Sequence, residues 1–395
     1  MASEPKIVIY YGPPSWFHDQ VGASKTKNFM TLINERDALR KLFRVVVAGH
    51  DGEEPISKLR RPNRVVAESA DFASIQEHAI TNFANLVQEL HPKHLLLNNP
   101  PSRVHEQLIR AFPSTRVERH TYPTITPETL RQFRDGFADH LVGQRTVREL
   151  LLATMYPLIR PGRTKPVVVM LYGPSGVGKT ETAHFINGLL GGDLLRKQFS
   201  MFHSDKFASY LFGGEHSEAS LARDLLDRES GVILIDEFDK ANPVFHSAFY
   251  ELFDSGRFVD KNYSVDVGPA LFICTSNYKT DVEIREALGD ALASRFDALI
   301  EYTPLTQDEI VQVVERTVSS KVAKLSAEEQ EHVDRSDLLS RLLVQLVDGP
   351  GNVRQIGKTI DSSIGLVLVR SMLSEHLAAA PTETGMEAPS QSAEA

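Results

Sequence analysis

GPSGVGKT, residues 173–180, is the stretch of sequence that decides the fold. It matches the pattern G-x-x-x-x-G-K-[S/T], in which glycines let the backbone approach a phosphate and a lysine reaches the phosphate oxygens. The preceding run, 166–172, is apolar and β-branched, and the following run, 181–192, has helical character and ends in glycine. Because strand, loop and helix in this order are the context that the motif requires, the sequence predicts a nucleotide-binding α/β domain.

The loop and the start of its helix form the predicted nucleotide site. Lys179 is expected to reach the β- and γ-phosphates, and Thr180 is expected to coordinate Mg²⁺ through its hydroxyl group. The predicted cofactors are therefore ATP and Mg²⁺. The residues predicted to contact them here are Gly173, Pro174, Ser175, Gly176, Val177, Gly178, Lys179, Thr180 and Glu181.

Residues 232–237, VILIDE, place two carboxylates at the end of a second apolar run. This pattern predicts a buried strand that ends in Asp236 and Glu237. Asp236 is expected to hold Mg²⁺, largely through water, while Glu237 polarises the attacking water. The phosphate loop and the acidic pair together predict an enzyme that hydrolyses ATP.

The motifs that follow resemble those of AAA+ ATPases, and among them the Clp-type branch, over about residues 135–360. The resemblance implies a P-loop α/β module, with a parallel sheet, helices and a helical lid, preceded here by a small α/β accessory domain. It also implies a homo-oligomer, either a ring or a filament, with a hexamer as the expected form. The motifs that carry the resemblance, in chain order, are Asp236-Glu237, Lys240, Asp254-Ser255-Gly256-Arg257 and Thr275-Ser276-Asn277.

Four further roles come from this resemblance. Asn277 matches the sensor-1 position, which orients the attacking water. Arg295, in ALASRFD, matches the arginine finger that reaches the nucleotide of a neighbouring subunit. Arg354, in GPGNVRQI, matches the nucleotide-facing sensor-2 position. The sequence of this segment is closer to that of bacterial enhancer-binding activators than to that of Clp proteins. Leu141 and Val142 match the segment that packs on adenine.

Composition and linker signals predict the domain organisation. The predicted parts are an α/β accessory or recruitment domain at 1–122, a Pro/Thr-rich linker at 123–135 and the ATPase domain at 136–302. A helical lid at 303–376 and a disordered tail at 377–395 follow. Within the first part, strands are predicted at 6–11, 44–48 and 94–97, and helical stretches at 26–42 and 74–90.

Composition excludes several classes of function. The chain has 395 residues, of which 42% are hydrophobic and 24% charged, as is typical of a globular protein. A net charge of -9 argues against broad nucleic-acid binding. No apolar run approaches the length of a membrane span, and no secretory signal is visible. The single cysteine, Cys274, fits a reducing cytoplasm, where we expect the protein.

One departure from the Clp pattern leaves two functions open. Clp-type unfoldases grip a polypeptide with an aromatic-apolar-glycine loop, and this chain has no G-Y-V-G between the phosphate loop and the acidic pair. Tyr210 and Phe212 could substitute, or SYLFGG could be a helix end with a glycine stop. The first function is ATP-driven remodelling or unfolding of a protein substrate. The second is an ATP-controlled oligomeric switch that regulates an effector partner without threading.

The N-terminal part offers two further features. Loops 11–15 and 98–102 each follow a predicted strand, and the edge that such loops share is where parallel sheets bind ligands. Turn chemistry alone would also explain their glycine, proline and asparagine residues. Lys58, Arg60, Arg61 and Arg64 form a basic cluster that suits an acidic partner or a phosphate, or a solvated loop.

Overall fold

The computed structural model describes residues 4–35, 61–201, 204–347, 349 and 352–378. These residues fall into two compact units. The first unit runs up to Pro174 and continues from Gly178 to Tyr302, and the second comprises Ser175–Val177 and the residues from Thr303 onward. The domain boundaries given above stay predictions.

The first unit begins with a parallel sheet of five strands in the order β2-β3-β4-β1-β5. Its central strands are continuous apolar runs because helices cover both faces. The strands are β1 (Lys6–Tyr11), β2 (Lys27–Asn28), β3 (Arg64–Ala67), β4 (His94–Asn98) and β5 (Arg116–Arg119). The helices are α1 (Pro14–Val21), α2 (Asp71–Ser74), α3 (Glu77–Thr81), α4 (Phe83–Leu90) and α5 (Ser102–Ala111), and residues 29–35 are also helical.

The strands predicted at 6–11 and 94–97 are confirmed, and the helical stretch predicted at 74–90 is divided among three short helices. Strands β3 and β5 were not predicted, because four residues with charged members give too little periodicity. The strand predicted at 44–48, the basic residues Lys58 and Arg60, and positions 379–395 of the predicted tail lie outside the described residues.

The two N-terminal loops that the sequence singles out lie side by side at the carboxyl edge of this sheet. The backbone N–H of Gly12 donates to Asn99 Oδ1 at 3.0 Å, and the side chains of Asn98 and Asn99 both donate to the Gly12 carbonyl. Asn99 adopts a left-handed conformation (φ 46°), which asparagine tolerates better than most residues. The two asparagines therefore hold the ends of β1 and β4 together.

A second parallel sheet of five strands follows, in the order β12-β6-β11-β8-β7. Strands β6, β8 and β11 are buried along their whole length, as the sequence predicts for the runs beside the motifs. The strands are β6 (Val167–Tyr172), β7 (Leu195–Gln198), β8 (Val232–Asp236), the antiparallel pair β9 (Arg257–Val259) and β10 (Ser264–Asp266), β11 (Leu271–Thr275) and β12 (Ala298–Glu301). Both sheets are α/β layers, which confirms the predicted fold class.

Seven helices of the described chain accompany the second sheet. They are α6 (Pro127–His140), α7 (Arg145–Met155), α8 (Lys179–Leu190), α9 (Ser204–Phe212), α10 (Leu221–Asp227), α11 (Ala248–Ser255) and α12 (Asp281–Ala293). Helix α6 begins inside the predicted linker: Thr126 caps it, Pro127 occupies its first turn, and Thr129 completes a capping box. Thr and Pro at these positions favour a helix start, so residues 127–135 are helical rather than extended.

The second unit carries the helices α13 (Gln307–Val322), α14 (Ala327–Arg335), α15 (Leu338–Leu346) and α16 (Val353–Ala378). Thr306 and Ser326 start α13 and α14 through capping boxes with Glu309 and Glu329. Throughout the part of the chain that the structure describes, no helix combines the length and the apolar character that a membrane crossing requires.

Polar contacts join the N-terminal sheet to the second sheet around Asp227, the last residue of α10. Its carboxylate accepts from Asn99 Nδ2 at 2.6 Å and from the Ser69 hydroxyl at 3.0 Å, and Arg223 lies 3.7 Å away. Burial raises the pKa of Asp227, although these hydrogen bonds and Arg223 oppose the rise. Asp227 therefore holds the loop after β4 against the second sheet.

Replacing Asp227 should destabilise the first unit in a pH-dependent way. Asp227→Ala leaves Ser69 without its partner, and we expect it to lower the free energy of unfolding by about 1–3 kcal/mol. Because the native pKa is raised, the folded wild-type chain takes up a proton as pH falls, so its advantage over the variant should grow from pH 7 to pH 5.

Urea denaturation at about pH 7 and pH 5 measures the difference in the free energy of unfolding between Asp227→Ala and the wild type. Asp193→Ala, an exposed carboxylate near the same segment, is the control and should change little at either pH. Equal stability of Asp227→Ala and the wild type would contradict the role of Asp227.

Candidate active site

The phosphate loop connects β6 to α8 at the carboxyl edge of the second sheet, as predicted. Gly178 adopts φ 106°, and a Cβ added there would lie 2.2 Å from Leu141 Cδ2. The left-handed φ favours glycine at this position, and its lack of a side chain leaves room for Leu141. The first amides of α8, a helix of 12 residues, are left free to bind an anion.

Lys179 is buried beneath the loop, with 8% of its surface exposed. Its ammonium group donates to the carbonyls of Gly173 and Pro174, both at 2.7 Å, and to Asn277 Oδ1 at 3.4 Å. Burial lowers the pKa of Lys179 to about 8, although the nearby Asp239 and Asp236 carboxylates raise it. Neutral carbonyls give the ammonium group no counter-charge, so a phosphate would be a favourable additional partner.

Asp236 lies at the end of β8 and is 6% exposed. Its Oδ1 accepts from the hydroxyl groups of Thr275 and Thr180, the latter at 3.3 Å. Its Oδ2 pairs with Arg196 Nη2 at 2.5 Å. Every oxygen of this buried carboxylate is therefore satisfied, and Arg196, on the edge strand β7, supplies its counter-charge.

Glu237 follows directly in a left-handed conformation (φ 58°). Its backbone N–H donates to Thr275 Oγ1 at 3.0 Å, and Gln198 Nε2 donates to Glu237 Oε2 at 3.0 Å. Hydrogen bonds from Ser200 and Gln198 hold the pKa of Glu237 below its usual value. These bonds favour the ionised carboxylate and lower its basicity.

The pair of oxygen ligands predicted for Mg²⁺ is assembled. The Thr180 hydroxyl and the Asp236 carboxylate are already within 3.3 Å of each other, from opposite elements. Mg²⁺ prefers oxygen ligands and commonly takes one or two protein groups, with phosphates and waters completing its shell. The donor set therefore fits this ion.

Arg295 is placed differently from the other predicted catalytic residues. Its Nε donates to Asp254 Oδ2 at 2.8 Å, and it also donates to the Ala291 carbonyl. Its guanidinium carbon lies 4.5 Å from the centre of the Tyr250 ring. These contacts lie on α11 and α12, whereas Lys179 is hydrogen-bonded to Asn277 and Thr180 to Asp236.

The two residues predicted to pack on the base differ in their burial. Leu141, at the end of α6, is 6% exposed and touches Gly178, whereas Val142 is only half-buried. Glu181 is exposed and pairs with His140 at 2.8 Å.

In the second unit, the Gly176 carbonyl accepts from the backbone N–H of Val353 at 3.0 Å. A Cβ on Gly176 would lie 2.1 Å from the Asn352 side chain, which also accepts from Gln355 N. The start of α16 therefore contacts the tip of the phosphate loop. Arg354, one residue further along, has an exposed side chain.

Four side chains of this site escaped the sequence analysis: Arg196, Gln198, Ser200 and Thr275. Three of them come from β7 and the turn after it, which carry no motif. Thr275 stands inside the quoted Thr275-Ser276-Asn277 and could have been noticed there. Arg196 and Gln198 could be found only from the pairing of β7 with β8.

Comparison with known proteins finds similarity to AAA domains and to Clp-type proteins. The family model "AAA domain (Cdc48 subfamily)" matches residues 164–342. A ClpA homolog protein of Fuscovulum blasticum is 29% identical over 277 residues, 62% of this chain and 35% of the relative. Chaperone protein ClpB of Chlamydia trachomatis is 24% identical over 362 residues, 80% of this chain and 42% of the relative. The human mitochondrial disaggregase is 30% identical over 167 residues, 38% of this chain and 23% of the relative.

These matches confirm the family resemblance that the motifs indicate. The chain spans less than half the length of each of these relatives. The family model covers the phosphate loop and the acidic pair, and the match with ClpB of Chlamydia trachomatis extends over 80% of this chain.

Removing the phosphate-loop lysine should abolish most nucleotide affinity. A charge-assisted hydrogen bond to phosphate contributes about 1.5–3 kcal/mol, so Lys179→Ala should weaken binding about 10- to 100-fold. Titration with a fluorescent ATP analogue measures the affinity. Lys165→Ala, an exposed lysine just before β6, should bind like the wild type. An unchanged affinity in Lys179→Ala would refute the phosphate-loop assignment.

Proposed function

We propose that this chain, which is similar to AAA+ ATPases of the Clp type, couples Mg²⁺-dependent ATP hydrolysis to the remodelling of a protein partner, as a ring oligomer. The observation that carries this proposal is the convergence of Lys179, Thr180, Asp236, Glu237 and Asn277 at one sheet edge. Two of the relatives are named as chaperones or disaggregases.

Each of these side chains has a separate task in hydrolysis. The free amides of α8 and the ammonium group of Lys179 bind the phosphates. Asn277, already hydrogen-bonded to Lys179, orients the attacking water beside the terminal phosphate. Glu237 takes the proton from this water once Gln198 and Ser200 release its carboxylate.

Thr180 and Asp236 would hold Mg²⁺, which neutralises charge on the phosphates when it is bound. For this task Asp236 has to exchange the Arg196 guanidinium for the ion. Arg196 is 42% exposed and lies on an edge strand, so it can turn toward solvent with little repacking.

Arg295 supports the oligomeric part of the proposal. In the single chain, the guanidinium group pairs with Asp254 and lies over the Tyr250 ring. We propose that in a homo-oligomer, most simply a hexamer, it leaves Asp254 and completes the site of the neighbouring subunit. A guanidinium at that position spreads charge stabilisation over the phosphoryl oxygens.

An exposed apolar surface supports contact with a protein partner. Phe212 is 45% exposed at the end of α9, and Val244 and Val259 are 74% and 48% exposed. Their segments adjoin: the Phe212 carbonyl accepts from Lys261 N at 2.9 Å, and the ring of Phe212 lies 6.1 Å from that of Phe245. We propose that this surface contacts an apolar segment of the partner.

A second function, the ATP-controlled switch, is favoured by the burial of Tyr210. This side chain is only 3% exposed, and its hydroxyl donates to Asp224 Oδ2 at 2.7 Å. Helix α9 ends at Phe212, and Gly213 follows at φ 81°. Of the two alternatives for SYLFGG, this is the helix end with a glycine stop. Tyr210 is therefore a core residue and is not available to grip a polypeptide, which leaves Phe212 as the aromatic residue of this segment that could.

The remaining parts of the proposal concern location and recruitment. We propose a cytoplasmic location and a protein-recruiting role for the N-terminal sheet. The sheet's firm attachment through Asp227 means that a partner bound to it would lie close to the ATPase sheet.

Phe212→Ala discriminates the two functions. If the chain remodels polypeptides through this surface, an unfolded polypeptide such as casein should stimulate ATP hydrolysis, and the variant should need about 5- to 30-fold more casein because an apolar anchor is lost. Basal hydrolysis should be unchanged. Steady-state ATPase assays with increasing casein measure both values.

Leu150→Ala, on α7 with 42% exposure, is the matched control and should respond like the wild type. Equal casein stimulation in Phe212→Ala and the wild type would contradict gripping by Phe212. If casein does not change the rate of ATP hydrolysis by the wild type, the ATP-controlled switch is favoured.

A further inference from the structure

A cavity of 420 Å³ lies between the N-terminal sheet and the ATPase sheet, away from the phosphate loop. Its N-terminal wall is formed by the carboxyl ends of β1 and β5 and by residues 120–124. Its other wall is formed by residues 163–164, 226–231 and 265–270. The volume lies within the range of small-molecule sites, about 300–1,000 Å³.

The cavity opens at the carboxyl edge of the N-terminal sheet, beside the neighbouring parallel strands β1 and β5. In open α/β sheets, ligands bind outside the carboxyl ends of the strands.

The lining of this cavity is cationic in a chain with a net charge of -9. It contains the guanidinium groups of Arg119, Arg163 and Arg228 and the carboxylate of Asp266. Arg163 donates to the backbone carbonyls of Lys165 and Pro166. In the described part of the chain, none of the three arginines forms an ion pair with a carboxylate.

Arg228 is the most informative of these residues because it is 96% buried, with only 4% of its surface exposed. It donates to the carbonyls of Leu225 and Val267, and its guanidinium carbon lies 3.6 Å from the centre of the Tyr122 ring. Its buried Nε has no hydrogen-bond partner among the described residues. The Asp266 carboxylate attracts this buried charge but forms no ion pair with it in the described structure, so an anion that fills the cavity would add a direct partner.

Aromatic and apolar groups line the rest of the cavity. Tyr11, Tyr122 and His120 contribute rings, and the loop 265–270 contributes valine, proline and alanine side chains. Arg119 lies 4.7 Å above the Tyr11 ring, exposed at the rim. Rings beside guanidinium groups suit a ligand with a planar body and a phosphate, since bases stack on aromatic faces and arginine forks match phosphate oxygens.

We propose that this cavity is a binding site for a small phosphate ester of nucleoside monophosphate size, with the phosphate held by Arg228 and Arg119. The site is separate from the ATP site and does not depend on the proposed remodelling function. Arg228 follows Asp227, which anchors the N-terminal sheet, and the same segment leads into β8 and Asp236. A bound ligand would therefore contact both sheets next to a strand that carries an active-site carboxylate.

Calorimetric titration of the full chain tests this site. The chain carries Lys179→Ala so that binding at the phosphate loop is weakened, and AMP, GMP, CMP and UMP are titrated separately. At least one should bind, at least about tenfold more tightly than inorganic phosphate or its own nucleoside. Adding Arg119→Gln, at the exposed rim, should weaken binding about tenfold or more because a charge-assisted hydrogen bond is lost.

Arg228→Gln should weaken binding further, and thermal unfolding shows whether this buried substitution still folds. Arg116→Gln, an exposed arginine on the same strand but outside the cavity, is the control and should bind like its parent. Absence of binding by all four nucleotides would overturn the proposal. So would an affinity that Arg119→Gln leaves unchanged, or equal affinity for inorganic phosphate.

Discussion

The in-register pairing of β6, β11 and β8 is the constraint on which the active site depends. Leu171 is paired with Thr275, and Cys274 with Ile235, so the three strands end at the same level. Whatever follows each strand is therefore brought to one edge: the phosphate loop after β6, the acidic pair at the end of β8 and Asn277 after β11. A slip of one residue in either pairing would turn Asp236 or Thr275 to the opposite face of the sheet.

The same edge holds internal partners for three charged groups of the site. Lys179 binds loop carbonyls, Asp236 binds Arg196, and Glu237 binds Gln198 and Ser200. Under the proposed function, bound nucleotide and Mg²⁺ would replace some of these contacts. Because β7 supplies two of the partners, a movement of this edge strand would change both carboxylates together.

The motifs predicted the centre of the site but not its surroundings. GPSGVGKT and VILIDE are continuous in sequence, and each carries its own local geometry, so their strands, loop and carboxylates could be located directly. Arg196 pairs with Asp236 across 40 positions, and Arg228 meets Tyr122 across 106, so neither contact has a local signal. The burial of Tyr210 was equally invisible, because an aromatic residue before glycine suits both a gripping loop and a helix end.

Asp227, Asn99 and Ser69 tie the N-terminal sheet beside β8, and both sheets lie in the first compact unit. Under the proposed function, assembly would bring Arg295 to the nucleotide of a second subunit. The most direct measurement is the mass of the Glu237→Gln chain by mass photometry, with and without ATP and Mg²⁺. A discrete larger species that forms only with ATP is expected, because this variant should bind ATP without hydrolysing it. A chain that binds ATP and remains monomeric would contradict a site completed by a neighbouring subunit.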